Sequence, residues 1–254
     1  MRPGRADAYH PRVSRLPDES TAGARVWLDL PGEAVVRPTP GEALDALASD
    51  LMAQALTCAG MFGDFHLAVG GDAALERVCL RLMSDPVLRA MPWARTHLWL
   101  AHERPGADGP AVYSIVRDYL VDHAGIPTEQ IHPIDLGPGD AAQRYEEDLR
   151  ECLGARARGR DRLDAAVVAL DAQGRLAGLA SFGEGSPDAP APWCARDPAG
   201  GVTMTGPFLR AARLLAVFAV GADQGRALAR WADGAPPTAA GETRWYLDQA
   251  AAGA

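Results

Sequence analysis

Three short stretches combine residue types that could do chemistry. Gly70-Gly71-Asp72 follows an apolar run and opens a helical pattern. Two glycines there let the backbone come close to a ligand, and a helix N-terminus can face a phosphate. The plain alternative is a tight strand-to-helix turn. Asp72 favours it, because as an N-cap it satisfies the helix donors itself and sets negative charge where an anion would sit. His102-Glu103-Arg104 closes a second apolar run before a Gly/Pro loop. An imidazole there can act as a general base near neutral pH, and a guanidinium can clamp a phosphate or carboxylate through two N–H bonds. The plain alternative is a surface ion pair of Glu103 with Arg104 and a solvated His102. The third stretch, Asp171–Arg175 within VVALDAQGRLAGLASFG, is either an active-site loop after a buried strand or the bend of a β-hairpin. Asp171 and Gly174 suit the first and fourth positions of a type I turn or bulged hairpin, and AAVVAL and RLAGLASF alternate like paired strands.

The elements that must position these stretches alternate between apolar strands and amphipathic helices, the mark of βα units around a mostly parallel sheet. An opening strand is expected near 25–30 and a helix over 41–59. Two strand–loop–helix units follow, beginning at DFHLAVGG and RTHLWLAHERP. Next come a strand around Ile131–Ile134, a helix over 139–153, the strand LDAAVVAL, GVTMT, a short helix from 206, LLAVFAV, a helix from 223 and a short last helix. In such sheets ligands collect at the carboxyl ends of the strands, so the three stretches are expected to meet there. The expected organisation is an N-terminal tail over 1–24 and one α/β domain over 25–254.

Composition narrows the chemistry further. The chain has 254 residues and a net charge of −8, and neither Lys nor Asn occurs in it. No Schiff-base, phosphate-loop or general-base lysine is available, so an anion must be held by Arg, backbone N–H groups or helix N-termini. The negative charge, without a stripe of Arg and aromatics, argues against nucleic acid as a partner. Cys58, Cys79, Cys152 and Cys194 lack CxxC spacing and read as reduced, buried small hydrophobes, so no metal is expected and a reducing, cytoplasmic location is. The apolar run Leu214–Ala222 is too short for a bilayer, and residues 1–24, rich in Pro and Arg with no apolar core, read as a frayed tail and not a signal peptide. His66 and His97 fall inside strand patterns as satisfied sheet residues; His10, His123 and His132 read as tail, helix-end and loop positions. GxSxG, Cys/His and HExxH motifs are absent from the sequence.

FHLAVGG, WARTHLWLAHERP, YSIVRDYL, IPTEQIHPI, AAQRYEEDL, GVTMTGPFLRAARLLAVFAVGADQGRAL and RWYLDQAA occur in that order. In order and spacing the chain resembles the 6-phosphogluconolactonase family, in a superfamily shared with glucosamine-6-phosphate deaminases. The likeness runs over about residues 30–251. It implies a modified Rossmann-like three-layer α/β sandwich, hydrolysis of 6-phosphoglucono-1,5-lactone in the pentose phosphate pathway, and no cofactor. By the same resemblance Gly70, Gly71, Arg104, Tyr113 and Arg196 match substrate-binding positions, Arg196 standing in for a lysine. Asp72 and His102 depart from the family pattern.

The largest departure is in the third stretch. There the family carries Asp-Gly-His, whose histidine activates water against the lactone carbonyl, and this chain has Gln173-Gly174-Arg175. Arginine stays protonated in proteins and cannot accept that proton. General-base assistance is worth about 10²–10⁴ in rate, and a loss of that size is expected. Three readings follow. The first is a sugar-phosphate site with lactone hydrolysis reduced or lost. The second is an active divergent lactonase with His102 as a relocated base. The third is a non-catalytic interaction or regulatory subunit.

Overall fold

The structure is a computed structural model that describes residues 30–71, 73–106, 111–137, 139–156, 161–171, 173–179, 191–197, 200–232 and 241–253. The expected tail over 1–24 and Asp72, with its expected capping role, lie outside the described residues. In chain order the elements are β1 (Glu33–Arg37), α1 (Pro40–Phe62), β2 (Phe65–Gly70), α2 (Ala73–Ser84), β3 (Thr96–Leu100) and β4 (His102–Glu103). Then α3 (Val112–Val116) runs through a π turn, Arg117–Val121, into α4 (Asp122–Ala124). There follow β5 (Ile131–His132), α5 (Ala141–Gly154), β6 (Ala165–Ala169), β7 (Cys194–Arg196) and β8 (Val202–Met204). The chain closes with α6 (Gly206–Ala211), β9 (Leu214–Ala219), α7 (Ala222–Ala232), β10 (Glu242–Asp248) and α8 (Gln249–Ala252).

Seven strands form one parallel sheet in the order β1-β10-β9-β6-β2-β3-β5, flanked by helices in a three-layer α/β sandwich. From β2 the chain builds outward to β3 and β5, then returns to β6 and builds the other way through β9 and β10. The order therefore reverses between β2 and β6, and the crevice at their carboxyl ends is where such sheets hold ligands. Gly70-Gly71 leaves β2 at that point, and Asp171–Arg175 follows β6.

The central strands are continuous apolar runs because both of their faces are covered. Every residue of β2, β6 and β9 is buried. Truncating Leu67, Val167 or Val217, none of which has measurable exposure, would leave a cavity; for Leu67 the cost is about 2–5 kcal/mol. Helix α1 starts where Thr39 accepts from the Glu42 N–H while the Glu42 carboxylate accepts from the Thr39 N–H, with Pro40 in the first turn.

Several elements differ from the sequence expectation. The opening strand expected near 25–30 lies, except for residue 30, outside the described residues; the first described strand is Glu33–Arg37, all five residues of which pair in register with β10. β10 has no counterpart among the expected strands. Its charged residues hide it: Arg244 pairs with Asp50 and Glu242, and the Tyr246 hydroxyl donates to Asp50. His102-Glu103 is a strand of a second, antiparallel sheet ordered β4-β8-β7, not a free loop.

The paired-strand expectation for AAVVAL and RLAGLASF also fails over the described residues; the last three residues of the second segment, 180–182, lie outside them. β6 already has β2 on one side and β9 on the other, so no edge is left for a hairpin partner. Only Leu170, beyond the end of β6, bridges to Leu176, and Leu176 to Leu179. The outcome is two successive turns. Gly174 N–H donates to Asp171 O, and Ala177 and Gly178, at φ 48° and 78°, close a two-residue turn over which Leu176 and Leu179 exchange hydrogen bonds.

Candidate functional site

The carboxyl end of β2 and the start of β4 meet at Gly70. A Cβ there would stand 2.8 Å from the Ala101 Cβ, 3.1 Å from His102 Nδ1 and 3.3 Å from the Ala177 Cβ. Close packing of three segments is therefore sufficient reason for glycine at 70. At Gly71 the same test meets the Ala169 Cβ at 2.8 Å. His102 is 8% exposed and its ring edge lies near Gly178, so the imidazole faces into this junction and not into solvent. That overturns the solvated His102 of the plain alternative.

The ion pair expected between Glu103 and Arg104 is also absent, because Glu103 is buried at 4% exposure and works on backbone instead. Its Oε1 accepts from the N–H groups of Arg104 and Val112, both at 2.9 Å, and its Oε2 from Tyr113 N–H at 2.8 Å. The carboxylate thus anchors the first turn of α3 to β4, where free helix donors favour negative charge. Tyr113 is partly buried against the core beside this anchor. Arg104 is half-buried just beyond it. Arg196 lies elsewhere: its guanidinium donates to Gly139 O and stands 3.8 Å from the Asp140 carboxylate, across a cavity of about 600 Å³ between α5 and β7. Asp140, Glu146 and Glu147 line that cavity with Arg150 and Arg196, a mixed-charge surface.

Asp171 organises the turn after β6. Its carboxylate, 9% exposed, accepts from Gln173 N–H at 2.9 Å and Arg175 N–H at 2.8 Å through Oδ1, and from Arg175 Nε at 2.8 Å through Oδ2. The Arg175 carbonyl accepts in turn from Asp171 N–H, and the Gly174 carbonyl from the Trp231 indole at 2.9 Å. Asp171 also lines a cavity of about 460 Å³ with Ala73 and with Val220 to Gln224. Gln224 ties the two strand ends together, accepting from Val220 N–H and donating to Leu170 O. Neither this tie nor the Asp171–Arg175 pair was singled out from the sequence; the acid-to-arginine spacing of four was the available signal for the second.

The expected site residues therefore do not all converge. Gly70 and His102 pack in one junction, Asp171, Gln173 and Arg175 share the next, and Arg196 serves a different cavity.

At the opposite ends of the strands a cluster appears that the sequence readings did not assemble. His66 and His97, paired in register on β2 and β3, stack at 4.5 Å between ring centroids, and His97 Nδ1 lies 3.0 Å from His132 Nε2. Trp99 stacks on His132 at 3.7 Å and donates its indole N–H to His66 Nδ1. Burial, together with the neighbouring imidazoles, pushes His97 and His132 down to about 4, and burial pushes the Cys152 thiol up. His66, His97 and Cys152 place ligand-type atoms within 4.8 Å of one another. The geometry does not suit a metal. Rings only 7° from parallel aim their lone pairs along parallel planes, and the Trp99 donor requires the His66 proton to sit on Nε2. Among the described residues no helix is long and apolar enough to cross a membrane.

Fold and strand-end site together define a parallel α/β protein of the kind that binds small molecules at its switch point. The family model described as glucosamine-6-phosphate isomerases/6-phosphogluconolactonase matches residues 38–244, and the chain belongs to that family. It is 24% identical over 231 residues to the 6-phosphogluconolactonase of Haemophilus influenzae, covering 84% of this chain and 96% of that one. Over 99 residues it is 34% identical to the GDH/6PGL endoplasmic bifunctional protein of Oryctolagus cuniculus, a stretch that is 38% of this chain and only 12% of that protein. In structure it superposes on the 6-phosphogluconolactonase of Thermotoga maritima with a TM-score of 0.67, at 19% identity, covering 85% of this chain and 100% of that one.

Proposed function

We propose that this chain recognises a six-carbon sugar phosphate at the β2/β6 crevice and hydrolyses the corresponding lactone slowly or not at all. One observation carries the reading: the position matched to the family's histidine is Arg175, and its guanidinium is locked onto Asp171 in a turn that leaves no imidazole in its place. Lactone hydrolysis needs a group that takes a proton from water. Arg175 cannot, and both oxygens of the Asp171 carboxylate are already engaged by the Gln173 and Arg175 N–H groups and by Arg175 Nε. Gly70 and Gly71 at the end of β2, and Arg104 and Tyr113 beside the Glu103 anchor, are the substrate-binding candidates of this reading, with Arg196 at a separate cavity. Family membership supports a small sugar phosphate as the ligand class.

His102 supports the second reading, an active lactonase with a relocated base, because its imidazole lies beside Gly70 at the same end of the sheet. The deciding measurement is acid release from freshly prepared 6-phosphogluconolactone above the spontaneous rate, for the unaltered protein and for His102→Ala. The expected result is turnover lower by about 10²–10⁴ than a lactonase with an intact base, and the same in both proteins. Efficient turnover that His102→Ala abolishes would replace the first reading with the second.

A further inference from the structure

We infer that Arg175 is the clamp for a carboxylate, so that the crevice selects the ring-opened aldonic acid phosphate over neutral-headed sugar phosphates. The inference rests on the sugar-phosphate reading above and names which end of such a ligand this residue meets.

The argument starts from how the guanidinium is used. Arginine offers five N–H donors in a planar fork. Here the Nε edge is spent on Asp171 at 2.8 Å, while the two terminal amino groups make no hydrogen bond to another described residue. The Arg175 side chain is 44% exposed, so these groups reach solvent. Asp171 does not compete for them. Its Oδ1 is met by the Gln173 and Arg175 N–H groups and its Oδ2 by Nε, which leaves the far end of the guanidinium as a donor pair of the width a carboxylate needs.

The second element is preorganisation. The Asp171–Gly174 turn, the Leu170–Leu176 bridge and the Trp231 indole on Gly174 O hold the Arg175 backbone from three sides. Asp171 fixes the side chain as well. Little conformational freedom remains to be lost when an anion binds, which is how a partly exposed arginine becomes an effective clamp.

The third is place. The pair stands at the carboxyl end of β6, at the switch in strand order, and Asp171 lines the 460 Å³ cavity, a volume within the range of small-molecule sites. The other acid of that cavity, Asp223, is paired with Arg226. A lactone or a sugar hemiacetal offers the fork only neutral oxygens. The open acid offers two equivalent charged ones, and the charge-assisted pair is the stronger.

The test is calorimetric binding of three probes: 6-phosphogluconate, glucitol 6-phosphate, which is the same open chain without the carboxylate, and gluconate, which lacks the phosphate. Each is measured with the unaltered protein, Arg175→Ala and Arg175→Lys. The expected result is at least tenfold tighter binding of 6-phosphogluconate than of glucitol 6-phosphate. Arg175→Ala abolishes that preference while glucitol 6-phosphate affinity stays within twofold, and Arg175→Lys, which keeps the charge but not the fork, loses most of it. Equal binding of the two phosphates by the unaltered protein, or a preference that survives Arg175→Ala, overturns the clamp and leaves the sugar-phosphate reading standing. Gluconate binding that depends on Arg175, with neither phosphate ester preferred over it, keeps the clamp and overturns the phosphate reading. No binding of any probe overturns both. Melting curves of the two variants show whether the turn remains folded.

Discussion

Across β2, β3 and β5, beginning near the amino ends of the first two, three imidazoles and an indole stack into a ladder, whereas at the carboxyl ends of β2 and β6 there stand one inward-facing imidazole and an arginine tied to an aspartate. By residue type the first region is much the richer in general bases. By position it is the poorer, since the loops and the reversal of strand order that gather a ligand lie at the other end. Its histidines satisfy one another and the Trp99 N–H, and burial keeps two of them uncharged near neutral pH. What separates them is whether a polar group has already spent its hydrogen bonds on the fold. His66 and His97 have, and the far end of Arg175 has not.

The sharpest way to break this contrast is to move an imidazole to the end that lacks one. Gln173→Asp combined with Arg175→His restores Asp-Gly-His after β6 and should raise 6-phosphogluconolactone hydrolysis by about 10²-fold or more, read as acid release above the spontaneous rate. A smaller but still large effect is expected at the anchor of α3. Glu103→Ala strips three N–H groups of their buried acceptor and should lower unfolding free energy by about 2–3 kcal/mol in denaturant melts. Its isosteric partner Glu103→Gln should recover part of that loss.

The ladder makes a pH-dependent contribution of opposite character. His97 and His132 titrate at about 4 when folded, below the ordinary histidine value of 6.5. Below 6.5 the unfolded chain takes up protons that the folded chain refuses, so acid favours unfolding. Their stabilisation is complete above about 6.5 and is lost as pH falls toward 4. Melting temperature should decline over that window, and His97→Phe, which keeps a flat ring without a titrating nitrogen, should flatten the decline. The smallest expected change is in ligand binding by the same variant: 6-phosphogluconate affinity within twofold of the unaltered protein, since His97 stands near the amino end of β3, away from the β2/β6 crevice.

Much of the scaffold was legible because β2, β3, β6 and β9 are apolar runs between turn residues, and α1 carries its capping signals in Thr39, Pro40 and Glu42. β10 was not. ETRWYLD alternates charge with aromatics because Arg244 and Tyr246 reach across to Asp50 on α1, a partner about two hundred residues away that no local pattern reveals. The role of Glu103 was not legible for a related reason. Its adjacent arginine suggested an ion pair, while its actual partners are backbone groups nine and ten residues on. The turn after β6 was half legible: Asp171 and Gly174 specify a turn, but only the sheet order shows that β6 has no free edge for a hairpin.

One contact of that turn has a use outside chemistry. The chain has six tryptophans, and one of them, Trp231, buried to 2% exposure on α7, gives its indole N–H to the carbonyl next to Arg175. A buried indole's emission depends on that bond, so the protein carries an internal fluorescent reporter wired to the loop whose occupancy is in question.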